Sequence, residues 1–138
     1  MPLAEPFGGT CGAATILVID DDQAVCGSLK FSLEIEGFNV RTYGSAAEIL
    51  NAPDLPQRGC MVIDYHLPGM DGLHLLHHLK ARQVRLPAIL ITTQPSAMIR
   101  RRASSEGVAI IEKPLLSNAL SDAIQDRLQA QRAPDETA

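Results

Sequence analysis

Short apolar segments recur along the chain and alternate with segments of helical period. The apolar segments are rich in β-branched residues and end on polar ones, which is typical of buried strands in a parallel sheet. This pattern predicts five strands. They cover residues 16–19, 38–42, 61–64, 88–92 and 108–112.

Between the strands, aliphatic residues recur every three or four positions, as on one face of a helix. Gly37 is placed to end the first helix, and Ser45 and Ser117 are placed to begin two others. We predict helices between Asp22 and Gly37, at 45–50, 73–81 and 97–105, and after Ser117 as far as Leu128. Strict alternation of five strands with five helices predicts an α/β fold, with helices on both faces of a parallel sheet.

The composition is consistent with one domain that has an aliphatic core. The 138 residues are 46% hydrophobic but only 4% aromatic. The net charge of −4 argues against direct binding to nucleic acid or to a membrane surface, since such proteins are usually basic. We expect a flexible N-terminal arm at 1–13, the domain at 14–130 and a flexible C-terminal tail at 131–138.

The cysteines and the absence of a targeting segment predict a cytoplasmic protein. Cys11, Cys26 and Cys60 are odd in number and lack the CxxC spacing, so we expect reduced thiols. No apolar stretch approaches the roughly 20 residues of a membrane span. The N-terminus also lacks the basic and apolar regions of a signal peptide.

Polar side chains stand at the carboxyl ends of four predicted strands. They are Asp20 and Asp21, Asp64, Thr92 and Lys113. In an open α/β sheet, ligands bind outside the carboxyl ends of the strands. If these strands are neighbours, one edge of the sheet gathers carboxylates, a hydroxyl and an ammonium group. We therefore predict a site for phosphate or metal at this edge.

The order and spacing of these motifs resemble the receiver domain of bacterial two-component response regulators. The matching stretches are ILVIDDD at 16–22, VIDYHLPGMDG at 62–72, LIT at 90–92 and EKP at 112–114. The chain looks most similar to receivers of the nitrogen-fixation regulator type. The resemblance covers about residues 14–130 and implies a flavodoxin-like (βα)5 fold.

The resemblance implies that Asp64 accepts a phosphoryl group from a phosphohistidine of a sensor histidine kinase. Lys113 would pair with one phosphoryl oxygen, and Thr92 would donate its hydroxyl to another. A carboxylate is a competent nucleophile. However, two unit charges about 4 Å apart repel by about 4 kcal/mol at an effective dielectric constant of about 20. A cation must offset this repulsion.

The resemblance implies Mg²⁺ as that cation, with no other cofactor. Mg²⁺ binds few carboxylates, keeps several waters and bridges phosphate oxygens. Asp21 and Asp64 would be direct ligands, together with the backbone carbonyl of His66. Asp20 would act through a water molecule.

The implied output is a change of shape. Movement of Thr92 toward the phosphoryl group would repack the surface of the fourth helix, fifth strand and fifth helix, through which receivers also form homodimers. The chain would bind a downstream protein target or a phosphotransfer protein. It would be no enzyme beyond its own phosphorylation and dephosphorylation. Few residues follow the last helix, so we expect a single-domain regulator without a DNA-binding module.

Three departures from the family pattern concern the switch. Ile110 stands where the family usually has tyrosine or phenylalanine, and Thr93 where it prefers glycine or alanine. The segment from Thr92 to Lys113 is also one residue shorter than in similar receivers. The chemistry of the pocket is unaffected, but the usual aromatic switch is absent or replaced by aliphatic packing.

Two alternatives remain open. A pseudo-receiver would bind partners without phosphorylation, and the altered switch residues favour it. A phosphatase similar to the haloacid dehalogenases would use Asp20 as nucleophile and Asp22 as acid. That family also needs an acidic pair at a strand end beyond the lysine, whereas here Asp122 and Asp126 fall within a predicted helix.

Three histidines of the third predicted helix also have a spacing compatible with zinc. They are His74, His77 and His78. No fourth ligand is evident near them in the sequence, and we favour a solvated helix face.

Overall fold

Five strands and five helices alternate in the structure, a computed structural model that describes residues 14–113 and 118–137, with side chains as far as Ala130. The elements are β1 (Thr15–Ile19), α1 (Gln23–Ile35), β2 (Asn39–Tyr43), α2 (Ala46–Leu50), β3 (Gly59–Asp64), α3 (Gly72–Ala81), β4 (Ala88–Thr92), α4 (Ala97–Ser105), β5 (Ala109–Glu112) and α5 (Ala119–Thr137). Three predicted features lie outside the described residues: the arm at 1–13, Cys11 and the helix start at Ser117.

All five strands lie parallel in one sheet, in the order β2-β1-β3-β4-β5. Helices α2, α3 and α4 pack on one face of the sheet, and α1 and α5 pack on the other. The predicted α/β fold is confirmed. The order makes β3 the central strand, with β1 and β4 beside it, so the carboxyl ends of three buried strands are neighbours.

The sheet forms the middle layer of the core. Alternate residues of a strand point to opposite faces. In β1, Ile16 and Val18 pack with α1 and α5, whereas Leu17 and Ile19 pack with the other three helices. Every residue of β3 and β4 is buried. The central strands are therefore shielded from water on both sides, and they hold their carboxyl ends in place.

Two predicted strands begin one residue later in the structure because the preceding residue closes a helix. The amide of Phe38 donates to the carbonyl of Leu33 at 3.2 Å, and the amide of Val108 donates to the carbonyl of Ala103 at 2.9 Å. These bonds belong to the Schellman motif, which satisfies the last carbonyls of a helix. The backbone of Phe38 and Val108 is thus used by α1 and α4 before β2 and β5 begin.

Helix α5 continues to Thr137, beyond the predicted boundary between domain and tail at residue 130. The prediction depended on the apolar stripe, which ends at Leu128. Polar residues such as glutamine and arginine have good helix propensity and can continue a helix without an apolar face. The end of the stripe is therefore not the end of the helix.

Cys26 and Cys60 are free, buried thiols, as predicted. Burial raises the pKa of Cys60 to about 12 and also raises the pKa of Cys26. Both side chains therefore act as small core residues. Within the described part of the chain, no helix has the length and apolar content to cross a membrane.

Helix α3 ends in the same motif as α1 and α4 but places glutamine at the left-handed position. Gln83 has a φ of 68°, where α1 and α4 have Gly37 at 103° and Gly107 at 72°. The amide of Val84 closes the motif on Leu79 at 2.9 Å. A side chain in the left-handed region costs roughly 1–2 kcal/mol, whereas glycine adopts it freely.

We expect Gln83→Gly to raise the free energy of unfolding by about 0.5–1 kcal/mol, since relief of this strain exceeds the entropy that glycine adds to the unfolded chain. Urea denaturation at neutral pH measures the difference. The reverse change at the matching position of α4, Gly107→Gln, should lower stability by a similar amount. Equal or lower stability of Gln83→Gly would contradict the prediction.

Candidate functional site

The polar residues predicted to share one edge of the sheet are brought together there. Asp20 directly follows β1, Asp64 ends β3, and both carboxylates are buried, with exposures of 1% and 4%. Strands β1 and β3 pair directly, with Ile19 opposite Ile63. Adjacent pairing of these two strands is therefore what places two carboxylates side by side.

Lys113 connects the two carboxylates. Its Nζ lies 3.3 Å from Oδ2 of Asp20 and 3.5 Å from Oδ2 of Asp64. The backbone positions this side chain, because the amide of Lys113 donates to the carbonyl of Thr92 at 2.8 Å. One ammonium group thus faces two buried carboxylates, which leaves the centre of the pocket negatively charged.

Asp20 is held rigidly by its neighbours. Its Oδ1 accepts from the amide of Asp22 at 2.9 Å, and its own amide donates to the carbonyl of Tyr43 at 3.1 Å. The thiol of Cys26 donates to its carbonyl at 3.2 Å. Asp22 caps α1 through the amides of two residues of its first turn. The carboxylate of Asp22 is therefore hydrogen-bonded to the helix, and the exposed Asp21 is the third carboxylate at the pocket, beside Asp20 and Asp64.

The pocket makes ionisation of Asp64 unfavourable. Burial raises the pKa of Asp64 above its usual value, and the carboxylate of Asp20 raises it further; the amide of His66 and the ammonium group of Lys113 oppose this rise without cancelling it. For Lys113, burial alone would lower the pKa, but Asp64 and Asp20 outweigh burial and raise it. The pocket therefore favours added positive charge.

The donor set fits a hard divalent cation. Asp20, Asp21 and Asp64 offer carboxylate oxygens that all lie within 4.8 Å of one another. An all-oxygen set of few carboxylates is typical of Mg²⁺, which keeps waters for its other positions. Of the described residues, no other group of three His, Cys, Asp or Glu side chains converges in this way.

Thr92 and His66 border the same pocket. The side chain of Thr92 is fully buried, and its hydroxyl donates to the carbonyl of Thr93 at 3.4 Å. The amide of His66 donates to Oδ1 of Asp64 at 3.2 Å. The role of the His66 carbonyl as a metal ligand stays a prediction.

Two residues near Asp64 were missed by the sequence predictions. A Cβ atom at Gly72 would lie only 2.8 Å from the carbonyl oxygen of Asp64 and 2.8 Å from Cδ1 of Leu90, so α3 can begin beneath the pocket only with glycine there. The second is Tyr65, whose hydroxyl contacts Arg102 of α4. The PGMDG turn could have indicated the glycine, but no sequence signal indicates a contact between residues so far apart.

The three histidines of α3 do not converge. His77 Nε2 pairs with Oε2 of Glu106 at 2.5 Å, and the rings of His74 and His78 stack with centroids 5.7 Å apart. Hydrogen bonding from His77 lowers the pKa of Glu106, with Lys80 assisting. These side chains join α3 to the end of α4 at the surface and form no metal cluster with another described residue.

A family model described as the response regulator receiver domain matches residues 16–125. The chain belongs to this family. The resemblance inferred from the motifs is thus confirmed. Asp22 caps α1, and Asp122 and Asp126 lie within α5 and not at a strand end, so the dehalogenase-like alternative is not supported.

The receiver domain matches longer transcriptional regulators. It is 35% identical over 115 residues to the transcriptional regulatory protein FixJ of Bradyrhizobium diazoefficiens, across 83% of this chain and 56% of that protein. It is 39% identical over 112 residues to FixJ of Azorhizobium caulinodans, across 80% of this chain and 53% of that protein. The chain therefore spans about half the length of these relatives.

Solved receiver structures have the same fold. A CheY-like receiver domain protein from Methanospirillum hungatei JF-1 superposes with a TM-score of 0.75 at 30% identity, across 88% of this chain and 98% of that chain. The structure of FixJ-N superposes with a TM-score of 0.76 at 31% identity, across 86% and 96% of the two chains. The predicted flavodoxin-like receiver architecture is thereby confirmed.

Replacement of Asp64 tests the electrostatics of the pocket. The pKa of Asp64 is higher in the folded chain than in the unfolded chain, so its ionisation costs stability as the pH rises through that pKa. We expect Asp64→Asn, without divalent cations at neutral pH, to raise the melting temperature by about 4 °C, equivalent to about 1 kcal/mol. The gain should shrink at acidic pH, where the wild-type carboxyl is protonated.

Calorimetry in the presence of a chelator measures this difference. Asp54→Asn, at an exposed aspartate in the loop before β3, is the matched control and should change the melting temperature little. Added Mg²⁺ should stabilise the wild-type chain more than Asp64→Asn, because a ligand stabilises the state that binds it. A lower melting temperature of Asp64→Asn in chelator would contradict the prediction.

Proposed function

We propose that this receiver domain accepts a phosphoryl group on Asp64 from the phosphohistidine of a sensor kinase, in a Mg²⁺-dependent reaction in the cytoplasm. The observation that carries the proposal is the ammonium group of Lys113, which faces two buried carboxylates at one sheet edge, at 3.3 and 3.5 Å. A structural salt bridge needs only one carboxylate. A buried surplus of negative charge lowers the stability of the fold, and such clusters are typical of functional sites.

Asp64, Lys113 and Thr92 have different roles in the phosphoryl transfer. An oxygen of Asp64 attacks phosphorus, the P–N bond to the donor imidazole breaks, and the imidazole leaves with that electron pair. The raised pKa of Asp64 makes its carboxylate a stronger base than an ordinary one, which favours attack. Lys113 then pairs with a phosphoryl oxygen. The hydroxyl of Thr92 donates only a long hydrogen bond, 3.4 Å, to the carbonyl of Thr93. It can therefore break this bond at little cost and donate to a second phosphoryl oxygen.

Mg²⁺ would be held by the carboxylates of Asp21 and Asp64 and by the carbonyl of His66, with Asp20 acting through a water molecule. When bound, it would neutralise the carboxylates and the incoming phosphate oxygens. Asp20 is already oriented for this role, since its Oδ1 and its backbone amide are both hydrogen-bonded. The chain itself is a phosphoacceptor and catalyses only its own phosphorylation and dephosphorylation.

The output passes through α4, β5 and α5 to another protein, either a downstream target, a phosphotransfer protein or a second copy of the chain. Two features support this face. Arg100 of α4 lies 3.8 Å from Glu112 of β5 in an exposed ion pair, and Met98 of α4 is 57% exposed. Exposed pairs of this kind contribute little stability and exchange partners readily. Action without an attached DNA-binding module stays a prediction, since the FixJ relatives are longer.

Incubation with acetyl phosphate and Mg²⁺, followed by mass spectrometry of the intact and digested chain, tests the proposal. We expect one phosphoryl group on Asp64, absent with a chelator and absent in Asp64→Asn. Lys113→Ala should lower the extent of labelling at least about tenfold, since a charge-assisted bond contributes about 1.5–3 kcal/mol. Asp54→Asn should be labelled like the wild type.

Two other outcomes would count against phosphorylation of Asp64. A label on Asp20 with steady turnover of acetyl phosphate would indicate phosphatase chemistry. No label on a folded chain that binds Mg²⁺ would favour the pseudo-receiver, for which the exposed Thr93 at the rim of the pocket is the supporting feature.

A further inference from the structure

Tyr65 follows the acceptor aspartate directly, and both of its backbone groups are used. Its amide donates to the carbonyl of Ile91 in β4 at 2.9 Å, and its carbonyl accepts from the amide of Gly72 at the start of α3 at 2.9 Å. Its ring meets the ring of His66 edge to face at 5.0 Å. The backbone of Tyr65 is therefore held between β4 and α3, directly next to Asp64 in the chain.

The hydroxyl of Tyr65 joins three elements. It lies 3.4 Å from Nη1 of Arg102, which donates to it, and it donates to Oδ2 of Asp71 at 3.5 Å. Nη1 of Arg102 also lies 3.6 Å from Oδ2 of Asp71. Asp71 caps α3 by accepting from the amide of His74 at 2.8 Å. The three side chains thus connect the residue after Asp64, the start of α3 and the last turn of α4.

The ring of Tyr65 also packs against the apolar core. It packs against the core cluster to which α4 contributes Ile99 and Ala103. Ile110 of β5 packs against this cluster as well, but it has no polar group and can form no side-chain hydrogen bond. Tyr65 therefore combines a polar and an apolar contact, whereas Ile110 has only the apolar one.

A separate set of contacts holds the far end of α4. Glu106 pairs with His77 at 2.5 Å and with Lys80 at 3.4 Å, both on α3. Helix α4 is thus joined to α3 through its C-cap, Glu106, and to Asp71 at the start of α3 through Arg102 in its last turn. Only the contact of Arg102 includes a residue adjacent to the acceptor.

We propose that Tyr65, with Arg102 and Asp71, transmits the state of Asp64 to helix α4. The inference rests on the proposed phosphorylation of Asp64. An aspartyl phosphate carries a charge of about −1.5 to −2 where the free carboxylate carries a single negative charge. This change, one residue from Tyr65, alters the electrostatic field at Arg102, which contacts both the phenol of Tyr65 and the carboxylate of Asp71. Distances of 3.4 to 3.6 Å are long for these bonds, so the contacts can shorten or break at little cost.

Hydrogen–deuterium exchange of residues 97–105, with and without phosphorylation of the full chain, tests the connection. In the wild type we expect phosphorylation to change exchange of this helix. Tyr65→Phe keeps the ring and the backbone bonds and removes only the hydroxyl. It should be phosphorylated on Asp64 like the wild type, while the exchange response of α4 falls about fivefold, the factor that corresponds to one hydrogen bond.

Matched variants separate this role from a general loss of stability. Arg102→Ala should reduce the response as Tyr65→Phe does, and the double variant should add nothing further, because both remove one connection. Arg101→Ala removes a neighbouring exposed arginine of α4, and Tyr43→Phe removes the hydroxyl of the other tyrosine. Both controls should respond like the wild type.

A spectroscopic signal follows Tyr65 itself. The chain has no tryptophan and only two tyrosines, so Tyr43→Phe leaves Tyr65 as the sole source of tyrosine fluorescence. We expect its emission to change on phosphorylation, and Arg102→Ala in the same background to remove most of that change. Unchanged emission would contradict the proposal.

The outcomes distinguish the two proposals. A wild-type chain that takes no phosphoryl group overturns both. A phosphorylated Tyr65→Phe whose α4 responds like the wild type overturns the role of Tyr65 alone, and so does a wild-type α4 that does not respond. Failure of Tyr65→Phe to accept the phosphoryl group would place Tyr65 in the chemistry and would also overturn its role as the connection.

Discussion

The burial of two carboxylates side by side, at the carboxyl ends of β1 and β3, is the constraint on which the rest of this structure depends. Asp20 and Asp64 lie beside each other because β1 and β3 pair directly, and Lys113 offsets only part of their charge. Burial and mutual repulsion make ionisation of Asp64 costly. A bound cation would relieve this repulsion, so the unfavourable charge of the pocket and the proposed need for Mg²⁺ have one origin.

The sheet can tolerate this strain because its other parts are apolar and fully packed. Strands β3 and β4 are buried along their whole length, and helices cover both faces. Unfavourable charge is confined to the carboxyl ends of the strands, where loops also give access to solvent. Hydrogen bonds to Asp20 from the amide of Asp22 and to Asp64 from the amide of His66 keep both carboxylates oriented.

The contacts of Arg102 with Tyr65 and Asp71 are 3.4 to 3.6 Å long and partly exposed, whereas Asp20 accepts from the amide of Asp22 at 2.9 Å. Long contacts of this kind suit a two-state output, since a modest change in free energy can rearrange them. Ile110 offers no polar contact of its own, so this output depends on other side chains.

The sequence by itself determined the α/β class, the five parallel strands and the pocket residues. Hydrophobic periodicity and strand-end chemistry are local signals, and they were sufficient for Asp20, Asp64, Thr92 and Lys113. The boundaries of β2 and β5 depended on helix-closing hydrogen bonds, and that of α5 on helix propensity beyond its apolar stripe.

Only the tertiary structure decided which side chains meet across long separations in the chain. The space under Asp64 that requires Gly72, the pairing of Lys113 with both carboxylates and the contact of Tyr65 with Arg102 all depend on how strands and helices pack. A sequence pattern records which face of an element is apolar, but the partner on the other side of a contact is set by the packing of the whole domain.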